Sequence, residues 1–242
     1  MAILHMVEVR PDLSELLRFL RGQTLEIGEH DEDLGYGVHA WMRAAFGQAA
    51  PQPWRLLFGR GRPVRILGYS AEDAKTLRAR LGDFAEPSVF AVCRDESDVS
   101  SRPMPDWQPG RRLRFELQCC PVGRKSNNGV EKDLFLIRAE AGHKVVSREE
   151  VYGTWVQEHI ERTGAAKITG LELTGFRLVE QTRQTQPTSP DRRKKRRLVR
   201  PQVIFQGQLE IGDPYAFTTL LAHGVGRHRA FGYGMMLLRP PT

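Results

Sequence analysis

The chain has 242 residues, 40% of them apolar, with 36 Lys and Arg against 29 Asp and Glu, a formal charge of +7 and a pI near 9.6. That length accommodates one large domain or two of about a hundred residues, and the charge mildly favours a polyanionic partner. No apolar run approaches the roughly 18 residues of a membrane span, and no signal peptide is visible, so a soluble cytoplasmic protein without membrane contact is the expectation.

In chain order, residues 2–9 alternate as an opening strand, and Pro11-Asp12-Leu13-Ser14 starts a helix with Leu13, Leu16, Leu17 and Leu20 on one face. Residues 22–33 are polar and acidic. A second helix runs from about Gly35 to Phe46, carrying Val38, Trp41, Met42, Ala45 and Phe46. Trp54–Gly59 and Val64–Tyr69 form a strand pair, Ala71–Leu81 a helix, and Val89–Val92 a short strand. Asp95–Gly110, rich in Ser, Pro and Asp, reads as the linker between two domains, 1–107 and 111–242. Arg112–Cys120 alternates as a strand, Lys144–Thr163 is a helix, and Ile168–Val179 and Val203–Ile211 are strands. A helix over Asp213–His223 and a last strand over Met235–Arg239 follow. The order β-α-β-β-α-β fits the second half well and the first less well. It predicts an α+β protein of two tandem ferredoxin-like (RRM-like) domains.

Chemistry concentrates in few places. Between the last helix and last strand, Gly224, Gly226, Gly232 and Gly234 bracket Arg227, His228 and Arg229. Glycine lets backbone approach a ligand, and N–H groups flanked by Arg suit phosphate; the same pattern also makes a tight helix-to-strand turn. The densest charge run is Arg192, Arg193, Lys194, Lys195, Arg196, Arg197 and Arg200, after a Thr/Gln/Pro/Ser stretch. Such a run suits an RNA groove, or serves as a generic basic loop. Tyr36 and His39, at i and i+3, share one side of their helix, and His suits either proton role in RNA cleavage. A Tyr and a His on the partly exposed rim of an amphipathic helix would look the same. His228 is the rival catalyst. Cys93, Cys119 and Cys120 offer neither a disulfide framework nor zinc spacing, and the His residues form no metal motif. Glu26, Glu29, Asp31, Glu32 and Asp33 crowd one loop and read as a solvated acidic stretch. No metal and no cofactor is expected.

The helix, glycine-rich loop and strand of the C-terminus resemble the signature of the RAMP proteins of CRISPR systems. The chain most resembles CasE, the crRNA-processing endoribonuclease of type I-E systems and a subunit of Cascade. Gly207–Ile211 through Arg239-Pro240 carry the resemblance, with Phe115-Glu116-Leu117 through Pro121, Lys132-Asp133-Leu134-Phe135-Leu136 and Tyr36-Gly37-Val38-His39. It covers most of the chain and is most specific at the C-terminus. The helix Pro11–Arg21 is a departure, since the family's Tyr/His segment follows the first strand more closely. The resemblance implies two ferredoxin-like domains and metal-independent cleavage of the CRISPR repeat stem-loop. It implies His39 as general acid or base, Tyr36 orienting or assisting it, and a basic hairpin gripping the stem. The implied partners are crRNA and other Cascade subunits. A non-catalytic RNA-binding RAMP subunit, or an interaction protein whose basic run binds an acidic partner, would fit the same charge pattern.

Overall fold

The computed structural model describes residues 3–22, 32–59, 61–124, 131–142, 147–184 and 195–241. The first half runs β1 (His5–Val9), α1 (Leu13–Gly22), α2 (Glu32–Phe46), β2 (Trp54–Gly59), β3 (Arg62–Ser70), α3 (Ala74–Phe84), α4 (Pro87–Phe90) and β4 (Val99–Pro103). The second runs β5 (Arg112–Cys119), β6 (Val122–Arg124), β7 (Glu131–Asp133), α5 (Leu134–Glu140), α6 (Arg148–Glu161), β8 (Ala166–Gln184), β9 (Lys195–Ile211), α7 (Pro214–His223) and β10 (Met236–Arg239). The two large sheets have strand orders β2-β3-β1-β4 and β10-β5-β9-β8, antiparallel throughout. In each, the strand that opens the unit lies centrally beside the strand that closes it. This is the ferredoxin-like arrangement, present twice.

Local chemistry sets the elements. In β5 the alternating Leu113, Phe115, Leu117 and Cys119 turn inward, as a period of two requires. Helix α7 starts where Asp213 accepts from the Ala216 N–H and Pro214 takes the first turn. Helix α3 starts at Ala74, three residues later than the periodicity predicts, because Asp73 caps it through the Thr76 N–H. Two readings of the sequence are overturned. Val89–Val92 is not a strand: Pro87 opens a short helix there. The stretch taken as linker contains β4, which pairs along β1 from Val9↔Val99 to His5↔Pro103. As an edge strand with only Val99 buried, β4 carries no apolar alternation to betray it.

One core gathers Val7, Leu16, Leu20, Val38, Trp41, Met42, Leu77 and Leu81 under the first sheet. The other packs α6 and α7 on the second sheet through Val151, Val156, Ile160, Phe217 and Leu221. Leu4, Tyr69 and Trp107 of the first half belong to this second core. The Trp107 ring meets Phe217 edge-on at 5.1 Å. The Tyr69 hydroxyl donates to the Met236 carbonyl at 2.8 Å in a fully buried position. The three cysteines are free and buried, and no helix among the described residues is long and apolar enough to cross a membrane. Tyr69→Phe should destabilise the fold by about 1–2 kcal/mol, the cost of a lost buried hydrogen bond with its acceptor left behind. Urea unfolding of the two proteins, compared at equal m-value, measures it.

Candidate active site

Helix α2 has two faces. Val38, Trp41 and Met42 are fully buried, and the Trp41 indole donates to the Val89 carbonyl at 3.1 Å. Tyr36 and His39 are half-buried on the other side. There they meet Phe231, which the second unit delivers. The Tyr36 ring stacks on Phe231 with centroids 6.1 Å apart and planes 13° from parallel; His39 meets it edge-on at 5.4 Å. Contact this close requires Gly35, since a Cβ there would lie 3.0 Å from the Phe231 carbonyl oxygen.

Phe231 ends a short 3-10 turn, Arg229–Phe231, inside the glycine-rich loop. The loop closes on itself where Val225 N–H donates to the Gly234 carbonyl at 2.9 Å. Gly234 has a φ of 80°, and a Cβ there would meet the Val225 carbonyl at 2.6 Å, so only glycine fits. The loop is fastened across the two units. The Trp54 indole donates to the Ala230 carbonyl at 3.0 Å, and the Gln118 amide to the Gly232 carbonyl at 3.3 Å. Gly224, Gly226, Gly232 and Gly234 all have positive φ, as does His228 at 62°, a strained value for a residue with a Cβ.

The electrostatics divide into two parts. Burial, and then the nearby Arg43 guanidinium, hold the His39 imidazole below its ordinary value of 6.5, so the neutral ring is favoured near neutral pH. The second part is organised by Glu131, which sequence reasoning missed. Its carboxylate takes His228 Nε2 at 2.9 Å, Arg200 at 3.1 Å and Arg227 at 3.1 Å. Burial alone would raise the Glu131 carboxyl, but His228, Arg200 and Arg227 together bring it below its usual range.

This changes the expected RNA face. Arg200 was expected to touch RNA; it is buried and bonds both the carboxylate and the main-chain carbonyl of Glu131, because β9 turns it inward where β7 passes. Arg227 is exposed and His228 largely buried, and both bond Glu131. Arg229 is directed to the His223 carbonyl. His228 also comes within 6.2 Å of Phe231, so both candidate histidines flank one ring.

Of the basic run, Arg192, Arg193 and Lys194 lie outside the described residues, as do Glu26, Glu29 and Asp31. Lys195, Arg196 and Arg197 lie on β9, paired with Gln184, Arg183 and Thr182 of β8. Both strands are longer than the periodicity predicts. β5 stops at the pair Cys119↔Val203, and β8 and β9 continue as a two-stranded ribbon. At about 3.3 Å per residue it projects roughly 25 Å beyond the sheet.

Two ferredoxin-like units thus stand in tandem, with a glycine-rich loop of the second docked on a Tyr/His helix of the first. The chain belongs to the CRISPR associated protein family, whose family model matches residues 4–240. It is 27% identical over 208 residues to the CRISPR-associated endoribonuclease Cse3 of Thermus thermophilus, covering 85% of this chain and 90% of that one. Its fold is similar to that of Thermus thermophilus Cse3 bound to an RNA representing a pre-cleavage complex, with a TM-score of 0.62 at 20% identity, covering 98% of this chain and all of that one. It also resembles a chain of a CRISPR RNA-guided surveillance complex, pre-nicking, with a TM-score of 0.52 at 18% identity and the same coverage.

Glu131→Gln should destabilise the protein by about 3 kcal/mol, because Arg200 then sits buried without a counter-charge. The wild-type carboxyl titrates lower folded than unfolded, so its contribution is complete above the ordinary carboxylate range and disappears as pH falls through the lowered value. Thermal melts between pH 3 and 7 should show this acid loss in the wild type and a smaller one in the variant.

Proposed function

We propose that this protein is a metal-independent endoribonuclease that cuts the repeat stem-loop of CRISPR precursor RNA and stays on the product as a Cascade subunit in the cytoplasm. The observation that carries the reading is the meeting of Tyr36 and His39 with the glycine-rich loop at Phe231, with the imidazole held neutral by burial. The endoribonuclease relative and the likeness to a chain of an RNA-guided surveillance complex support it. The first unit, 1–107, carries the catalytic helix, and the second, 111–242, the basic hairpin and the loop.

In this mechanism neutral His39 accepts the proton of the 2′-hydroxyl before the scissile phosphate. That oxygen attacks the adjacent phosphorus, the bond to the 5′-oxygen breaks, and the leaving oxygen takes up a proton. The products are a 2′,3′-cyclic phosphate and a 5′-hydroxyl. Tyr36, fixed by its stack on Phe231, orients the phosphate or the imidazole. Arg227, His228 and Arg229 present the loop's positive edge to the RNA backbone. The ribbon carrying Lys195, Arg196 and Arg197, with Arg192, Arg193 and Lys194 between its strands, tracks the groove of the stem.

His39→Ala should slow single-turnover cleavage of a repeat hairpin by about 10²–10⁴-fold while hairpin affinity changes only a few-fold. Cleavage should persist in EDTA, and a 2′-deoxy group at the nucleotide before the cut should leave the RNA bound and whole. Efficient cutting of that substrate would eliminate the mechanism.

A base that must be neutral gives a rate that falls as pH drops through its pKa. The acid limb of wild-type cleavage should therefore lie below pH 6.5. Arg43→Ala should move it upward without reaching 6.5, since burial is the larger cause. A limb unmoved by Arg43→Ala would assign it to another group.

Neutralising Arg192, Arg193, Lys194, Lys195, Arg196 and Arg197 should lower the slope of log affinity against log salt by about two to four, at about −0.7 to −0.9 per phosphate contact. An unchanged slope would place the stem elsewhere on the protein.

A further inference from the structure

Against the glycine-rich loop lies an open cavity of about 600 Å³ between α6 and α7, and His39 is not among its lining residues. Its wall is built from Trp155, His159, Arg162, Tyr215, His223 and Arg229, and no carboxylate lines it among the described residues. Aromatic faces, guanidinium groups and imidazoles without an acid form a surface for a group both flat and anionic. Tyr215 is 61% exposed, so its ring is open to a stacking partner. The Trp155 and His159 rings are in contact, with centroids 4.3 Å apart and planes tilted by 44°.

The histidines add a second property. His159 Nδ1 lies 2.8 Å from the Trp155 carbonyl, and His223 Nδ1 lies 2.9 Å from the Thr219 carbonyl. A carbonyl only accepts, so each Nδ1 carries the proton. Nε2 is left as the remaining polar atom of each ring, an acceptor whenever the ring is neutral. An acceptor beside a cation matches a ribose 2′-hydroxyl next to its phosphate. The cavity is also coupled to the loop. Gly226 lies so close to Trp155 that a Cβ would sit 2.4 Å from the indole ring.

We propose that this cavity binds one unpaired ribonucleotide of the strand flanking the stem. The base stacks on Tyr215 and Trp155, the phosphate meets Arg162, and the 2′-hydroxyl donates to a histidine Nε2. The site rests on the stem-loop reading above, but the groups assigned to the nucleotide, Trp155, Arg162, Tyr215 and the two histidines, are ones that reading does not use. It would fix where the single strand leaves the loop, and so help set the register of the cut.

The test uses the full chain and the double variant Arg162→Ala/Tyr215→Ala, two exposed side chains whose loss leaves both cores intact; matching thermal melts check this. Fluorescence anisotropy measures binding of three fluorescently labelled RNAs: the stem hairpin alone, the hairpin with four unpaired nucleotides added on either side, and an unstructured tetranucleotide. One flank should raise wild-type affinity about tenfold over the bare stem, the scale of a single stacked base. The double variant should lose that increment and keep bare-stem affinity, and a deoxy flank should recover only part of it. No increment from either flank in the wild type, or an increment that survives in the variant, overturns the proposal. If the bare stem does not bind, the stem-loop reading fails instead, and the tetranucleotide decides the cavity alone. Binding to the wild type that the variant loses supports the site; equal binding to both, or to neither, overturns it.

Discussion

The structure turns on the docking of Ala230 and Phe231 against the first unit. The Trp54 indole takes the Ala230 carbonyl, and Phe231 fills the space between Tyr36 and His39. Tyr36 and His39 thereby share one aromatic contact with the second unit. The ring is a common neighbour of three titratable groups, since His228 also lies within 6.2 Å of it. Beneath this contact the two units share a buried ion pair, Arg55 with Glu116 at 2.6 Å, which Arg239 joins at 3.9 Å. A buried pair adds little net stability, yet a rotated interface would leave one charge unmatched, so it favours one orientation.

The positive charge of the second unit does two jobs that the sequence does not separate. Arg200, Arg227 and His228 surround Glu131 and tie β7 to β9 and to the loop. A loop residue in a left-handed conformation needs an external hold, and the Glu131 contact to His228 supplies one. Lys195, Arg196 and Arg197 belong instead to the part of β9 that pairs with β8 beyond the end of β5. Arg200, read from the sequence as part of the same block, is an internal fastener.

What was legible in the residues was whatever repeats or caps. The alternation of β5, the apolar faces of α2 and α6, and the Asp-Pro start of α7 are local signals, and the structure follows them. β4 was not legible because an edge strand needs only one buried side, and Val99 supplies all of it. α4 was missed because four residues are too few for a period to register. At the site, the i, i+3 spacing of Tyr36 and His39 was readable from the chain, and the resemblance pointed to the same residues. Glu131 and Trp54 were not: their roles come from partners up to 176 positions away, and a lone Glu before Lys132 carries no pattern. Phe231 sat in plain view inside the loop. A large aromatic among glycines is the one local cue that could have marked it as the contact with the rest of the molecule.

The same separation has a consequence in time. Trp54 and Ala230 are 176 positions apart, so ribosomal synthesis at about 5–20 residues per second leaves roughly 10–35 s between them. Through that interval Tyr36 and His39 exist without the aromatic they pack against, while the first sheet gains β3 and then, early in the interval, its last strand β4. A nascent chain therefore carries Tyr36 and His39 long before it carries the ring they pack against. This contact between the two units forms in one late step, when Phe231 arrives.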